Sequence, residues 1–264
     1  MSATRVMVLR SAGTNCDAET AWAFTLAGAK VESVHVNRLV EAPQLLSEFA
    51  ILAIPGGFSY GDDISAGRIL AQRIASDLIG PLKRFVERGG LVAGICNGFQ
   101  VLVKTDLLPG KVDGFHGHPA TLAHNAGGRF QCRWIDVDED PASRCVWTKG
   151  LGRFSLPIAH GEGRFVTASP AVLDGLHRNG QVALRYAAGA MAAALPPGLL
   201  GNPNGSTDAI AGVCDTTGRV FGLMPHPERH VRLSQHPAWT AIGGDPDEEA
   251  AGLRVFRNAV AAAN

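Results

Sequence analysis

The sequence predicts an α/β fold built on a mostly parallel sheet with helices packed against it. Three observations carry that prediction. The N-terminal half reads as a β-α-β-β-α-β succession. Its strands are short, continuous apolar runs rather than alternating ones, as expected where a sheet is covered on both faces. Glycine-rich turns, at residues 11–15, 55–63 and 96–98, follow three of those strands. In a sheet of this kind they lie on the C-terminal edge, where ligands gather. Composition agrees, with 46% apolar and 18% charged residues, enough apolar mass for a sizeable core.

Residues 5–10 (RVMVLR) form the first strand and stop at Ser11-Ala12-Gly13. A helix is expected over 16–28. Thr14 or Asn15 would cap it, Asp17 and Glu19 suit the positive end of its dipole, and Gly28 closes it. Strands follow at 31–36 and 49–54, the second stopped by Pro55-Gly56-Gly57. Helical periodicity then runs from Asp62 or Asp63 to Glu87 and breaks near Gly80-Pro81. The two aspartates read as a helix cap with first-turn charge. A strand at 91–95 passes at once into a helix through 103. The second half is more irregular, with strands expected at 130–137, 163–167, 182–186, 210–214 and 220–224. Gly218 marks a hairpin between the last two. A terminal helix is expected over 247–263. No linker, charge block or repeat divides the chain, so 1–264 reads as a single domain.

Lys plus Arg and Asp plus Glu both number 24, so the formal net charge is zero. A nucleic-acid binder normally shows a basic excess and a charge-driven membrane binder a basic patch, so neither partner is expected. No stretch reaches the ~18–20 apolar residues of a membrane span, and the N-terminal apolar run is too short for a signal peptide. A cytoplasmic protein is expected. Five cysteines, an odd number, exclude a fully paired disulfide framework. Cys16, Cys132, Cys145 and Cys214 read as structural thiols. His116, His118 and His124 lack zinc-site spacing and have no acidic or cysteine ligand beside them in sequence, so no metal is expected.

Cys96 stands apart. Gly94-Ile95-Cys96-Asn97-Gly98 follows a strand and opens a helix, in the G-x-nucleophile-x-G form of a nucleophile elbow. Such a turn needs tiny flanking residues so that chain segments can approach. The helix start favours a thiolate, and the Asn97 N–H points where an oxyanion would form. Alone, the segment equally fits a buried cysteine closing a core strand. A second motif, Pro225-His226-Pro227-Glu228, lies just beyond the strand at 220–224. The residue before a proline is pushed toward extended geometry, so His226 and Glu228 should point the same way. The pair would supply a base and the carboxylate that orients it. Alone, it also fits a proline-rich loop with a surface histidine.

Together, Gly94-Ile-Cys96-Asn-Gly98-Phe-Gln100 and Pro225-His226-Pro-Glu228-Arg229 resemble the class I (triad-type) glutamine amidotransferases. Within them, the chain is most similar to the glutaminase subunits of phosphoribosylformylglycinamidine synthase. Gly13-Thr-Asn-Cys-Asp17, the string from Pro55 to Asp63, Leu107-Leu-Pro-Gly110, Ala159-His-Gly-Glu-Gly163 and Asn202-Pro-Asn-Gly-Ser206 carry that finer likeness. It spans residues 5–229. Segments 116–133 and 187–200 and the tail after Arg232 match poorly.

The resemblance implies a flavodoxin-like three-layer sandwich with helices on both faces of the sheet. It implies Cys96 as nucleophile on the side-chain amide of L-glutamine, His226 as proton carrier and Glu228 as its orienting acid. Backbone N–H groups near Gly57 and Phe58, with Asn97, would form the oxyanion hole. Gln100, one helical turn after Cys96, and the loop His160-Gly161-Glu162 would hold glutamine. Ammonia would pass to a separate synthetase that converts formylglycinamide ribonucleotide to formylglycinamidine ribonucleotide in de novo purine biosynthesis. A small bridging protein is expected beside it. ATP and magnesium are expected on the synthetase, since this chain has no G-x-x-x-x-G-K-[ST] phosphate loop and carries no cofactor of its own. Two other functions stay in view: a stand-alone cysteine hydrolase of related fold, and a catalytically idle regulatory subunit. The former is disfavoured by the PHPE and GFSYGDD strings, the latter by the presence of Cys96, His226 and Glu228 together.

Overall fold

The computed structural model describes residues 3–112, 115–189 and 201–264. Most of the poorly matched segment 187–200 therefore lies outside the described residues. The chain opens with strand β1 (Arg5–Arg10), helix α1 (Asp17–Leu26), β2 (Lys30–His35), the short α2 (Val36–Glu41) and β3 (Ile51–Ile54). Helices α3 (Arg68–Arg73) and α4 (Ile79–Glu87) lead to β4 (Leu91–Ile95) and α5 (Asn97–Lys104). The second half adds β5 (Ala120–Ala123), β6 (Gln131–Glu139), β7 (Arg153–His160), β8 (Arg164–Thr167), α6 (Pro170–Arg178) and β9 (Val182–Ala187). It closes with β10 (Ile210–Cys214), β11 (Val220–Leu223), α7 (Trp239–Ile242) and α8 (Ala251–Ala262).

One nine-stranded sheet runs β2-β1-β3-β4-β11-β10-β9-β6-β7, and β5 pairs with β8 in a separate two-stranded sheet. From β2 to β11 every pairing is parallel. From β11 to β7 every pairing is antiparallel. The expected parallel sheet is thus the N-terminal part plus β11, and the second-half strands extend it as an antiparallel wing. β3 and β4 are buried along their whole length, as their unbroken apolar sequence requires. On one flank, Phe24 of α1 meets Phe256 of α8 edge to face at 4.9 Å between ring centroids.

β7 departs from the sequence expectation, and Pro157 explains why. A proline in a strand lacks the N–H for a ladder bond and is confined to edges. β7 is an edge strand, pairing only with β6, with Pro157 opposite Trp134. Its burial alternates, with Phe154, Leu156, Ile158 and His160 turned inward.

The helical stretch expected from Asp62 or Asp63 also differs. Residues Ser59–Asp62 form a 3-10 turn with left-handed backbone at Tyr60 and Gly61, and α3 begins at Arg68 behind Gly67. Asp62 does not cap a continuous helix. Its carboxylate accepts from the Gly67 N–H at 3.0 Å and from Asn97 Nδ2 at 3.0 Å, tying the loop to α5. The break near Gly80-Pro81 falls slightly earlier, as a π-turn over Ile74–Leu78. Pro81 offers no N–H to the turn before it, and a widened turn absorbs that loss.

Candidate active site

Parallel pairing of β4 with β11 sets Leu223 beside Ile95. Cys96 follows one strand end and His226 lies three residues beyond the other, so the topology delivers both motifs to one place. The Cys96 N–H donates to the Leu223 carbonyl at 2.8 Å. Cys96 adopts φ 52° and ψ −104°, a backbone that a non-glycine residue holds only under constraint. That constraint is visible at both flanking glycines. A Cβ on Gly98 would lie 1.9 Å from the Ile54 carbonyl oxygen, and one on Gly94 would lie 2.5 Å from the Gly98 carbonyl oxygen. Cys96 is only 6% exposed, and its Sγ lies 3.7 Å from the Ala159 carbonyl.

His226 and Glu228 are buried, with Nδ1 and Oε1 2.6 Å apart. His226 sits at φ −107° and ψ 89°, and a 3-10 turn over Pro227–Arg229, rather than an extended run, brings the carboxylate round to the ring. Burial opposes a charged imidazole here. Glu228 and the nearby sulfurs of Cys96 and Cys16 outweigh it, so the ring holds its proton well above the usual histidine range. Glu228 takes Nδ1, and His226 Nε2 is buried with no hydrogen-bond partner among the described residues.

A cavity of about 340 Å³ opens against Cys96. Of the residues expected from sequence, Gly57, Phe58, Gln100, His160, Gly161 and Glu162 line it with Cys96. Several do so in ways the sequence did not indicate. The Phe58 N–H donates to the Gly13 carbonyl at 3.0 Å, so it is engaged rather than offered to an oxyanion. Asn97 does not line the cavity but supports residues that do: its Oδ1 accepts from Ser59 Oγ at 2.6 Å, and its Nδ2 donates to the cavity-lining Asp62 and to Gln100 Oε1. Gln100 Nε2 donates to the Glu162 carbonyl. Glu162 Oε2 accepts from the Ala66 N–H at 2.7 Å, clamping the 161–163 loop to the 59–67 loop. Burial, with the nearby charge of His226, drives the His160 pKa down to about 3, so this ring stays neutral.

The sequence missed Asn125. It is buried, and its Oδ1 faces His160 Nδ1 at 3.0 Å and accepts from the Gly163 N–H at 3.2 Å. Its Nδ2 donates to the His160 carbonyl at 2.8 Å and to the Arg129 carbonyl at 2.9 Å. Asn125, with His124 and Phe130 on the cavity wall, comes from the poorly matched segment 116–133. Cys16, expected as a bystander, stands beside the triad: its Sγ, a His226 ring nitrogen and a Glu228 oxygen all lie within 4.8 Å of one another. Cys132, Cys145 and Cys214 lie elsewhere, and all five cysteines are free thiols.

Comparison with known proteins fits this geometry. A family model for the CobB/CobQ-like glutamine amidotransferase domain matches residues 3–261. The phosphoribosylformylglycinamidine synthase subunit PurQ of Dehalococcoides mccartyi is 49% identical over 260 residues, 98% of each chain. The subunit of the same name from Methanococcus maripaludis is 39% identical over 264 residues, 97% of this chain and 96% of that one. A chain in the structure of PurLQS from Thermotoga maritima superposes with a TM-score of 0.70 at 30% identity, covering 98% of this chain and 99% of that one. A putative GMP synthase subunit from Thermoplasma acidophilum, at 11% identity and a TM-score of 0.57, shares the fold and covers 100% of this chain and 95% of that one. The chain belongs to the class I glutamine amidotransferases, in the family of the PurQ subunits of phosphoribosylformylglycinamidine synthase.

Proposed function

We propose that this chain is the glutaminase subunit of a phosphoribosylformylglycinamidine synthase, releasing ammonia from L-glutamine through Cys96, His226 and Glu228. One observation carries the reading. A buried His226–Glu228 pair at 2.6 Å stands beside a cysteine on a constrained strand-to-helix turn, and that cysteine faces a cavity of about 340 Å³.

Cys96 Sγ attacks the amide carbon of glutamine. His226 protonates the departing nitrogen, and ammonia leaves a γ-glutamyl thioester. Water, deprotonated by His226, then releases glutamate. Glu228 fixes the tautomer that leaves Nε2 toward the reaction and stabilises the imidazolium. The oxyanion is received by the Gly57 N–H and by the N–H of Asn97, first in α5, where the helix start favours negative charge. Gln100, Gly161 and Glu162 shape the glutamine cavity, and neutral His160 holds the loop with Asn125.

The ammonia passes to a separate synthetase that binds ATP and magnesium and forms the amidine. A small bridging protein completes the assembly. The names of the relatives, and the Thermotoga maritima structure titled PurLQS, support a partnered role. The whole chain, 1–264, acts as one unit in the cytoplasm, without a cofactor or metal of its own. Among the described residues no helix is long and apolar enough to cross a membrane.

Co-purification with the synthetase tests the reading. The complex should release glutamate from glutamine faster when its nucleotide substrate is present, and the isolated chain should be a poor glutaminase. Full activity of the chain alone would favour a stand-alone hydrolase.

A further inference from the structure

Two cavities meet at Cys96. The larger one, about 340 Å³, does not reach His226. The second, about 170 Å³, is continuous with it along Gly57, Phe58, Cys96, Phe130 and Ala159, and adds Asn15, Cys16, His226 and Arg229 on its far side. The nitrogen that must exchange protons with the substrate, His226 Nε2, is buried and unpartnered among the described residues, on a side chain only 2% exposed.

Resting on the glutaminase reading, we propose that the smaller cavity holds the water that hydrolyses the acyl-enzyme, with Cys16, supported by Asn15 and Arg229, positioning that water against His226. Glutamine in the larger cavity presents its acyl carbon to Cys96 Sγ. The attacking water must then stand within hydrogen-bond reach of His226 Nε2, on the side of the smaller cavity. The leaving nitrogen, protonated by the same ring, departs as ammonia from the spot that water takes next.

The wall is suited to the task. A bound water needs roughly 10–15 Å³ of space and two to four polar partners. Cys16 Sγ accepts from Arg229 Nη2 at 3.2 Å and donates to Asn15 Oδ1 at 3.2 Å. Arg229 is itself held by Glu19 at 2.8 Å. Burial pushes the Cys16 thiol up, so it stays an S–H group rather than a competing nucleophile. In the step itself, a water proton moves to His226 Nε2 as the new C–O bond forms on the thioester carbon. The C–S bond then breaks, and the proton passes from Nε2 to Cys96 Sγ, leaving glutamate and the free thiol.

The complex with its synthetase decides the matter, through Asn15→Leu, Cys16→Val and Cys16→Ser. Asn15 is exposed, so a leucine there fills the cavity from its mouth without entering the core. Asn15→Leu and Cys16→Val should lower kcat and KM for glutamine together, about tenfold, the factor of one lost hydrogen bond. Intact-mass spectra should show γ-glutamyl thioester on Cys96 during turnover, with kcat/KM unchanged. Cys16→Ser, which keeps a polar hydrogen there, should lie near wild type. Unchanged kinetics in Asn15→Leu would overturn the assignment. So would kcat/KM falling with kcat while no acyl-enzyme appears. A wild-type complex that never releases glutamate would instead overturn the glutaminase reading itself.

Discussion

His226 Nδ1 stands 2.6 Å from Glu228 Oε1, and neither side chain is exposed by more than 2%. A carboxylate so enclosed acts on the ring with little screening by water. Glu228 favours the charged ring, so a cationic imidazole persists to higher pH than for an ordinary histidine. Glu228→Gln removes that negative charge, and His226 then loses its proton at lower pH. The alkaline limb of kcat/KM for glutamine should therefore move to lower pH, and the maximum should fall at least ~100-fold. A pH–rate profile of the complex reads both effects. A limb that stayed in place would remove Glu228 from control of the ring.

The elbow is a packing device as well as a catalytic one. Gly98 meets the Ile54 carbonyl so closely that even a methyl group has no space. Gly98→Ala must push α5 away from β3 and shift Cys96 with it. A loss of ~3 kcal/mol, the upper range for overpacking, is expected in urea unfolding, together with loss of glutaminase activity. A variant of wild-type stability and activity would contradict this close approach.

Asn125 ties four groups together: the His160 ring, the His160 and Arg129 carbonyls and the Gly163 N–H. Asn125→Ala removes the partner of the buried His160 ring and carbonyl and of the Gly163 N–H, at ~1–3 kcal/mol for each group left unsatisfied before relaxation. The 161–163 loop also forms the cavity wall. KM for glutamine should rise severalfold, while the variant still forms its thioester on Cys96. Intact KM in a folded variant would show that the loop is held by other means.

Most of the parallel half of the sheet was legible in the sequence because β1, β3, β4 and β11 have apolar centres, whereas the edge strand β2 is polar and largely exposed. Cys96, His226 and Glu228 were legible because each lies one to five residues past a strand end within a short motif, although a 3-10 turn rather than the expected extended run joins His226 to Glu228. The rest depended on contacts distant in sequence. β7 was hidden by Pro157, whose tolerance rests on an edge position that no local pattern states. Asp62 resembles a helix cap, yet its partners are Gly67 and Asn97. Asn125 and Cys16 reach the site from other segments, and nothing in their neighbours in sequence announces His160 or His226. The tail after Arg232 carries no motif but packs as well: His236 meets Trp134 of β6 at 5.0 Å between ring centroids.

Cys96 is the nucleophile whose attack on the glutamine amide must release the ammonia used in synthesis. The most direct measurement compares amidine formation by the assembled complex with glutamine and with ammonium salt, for wild type and Cys96→Ala. The substitution should abolish glutamine-dependent synthesis and leave ammonia-dependent synthesis intact. Glutamine-dependent synthesis that survived in Cys96→Ala would contradict the assignment of the nucleophile and, with it, the mechanism.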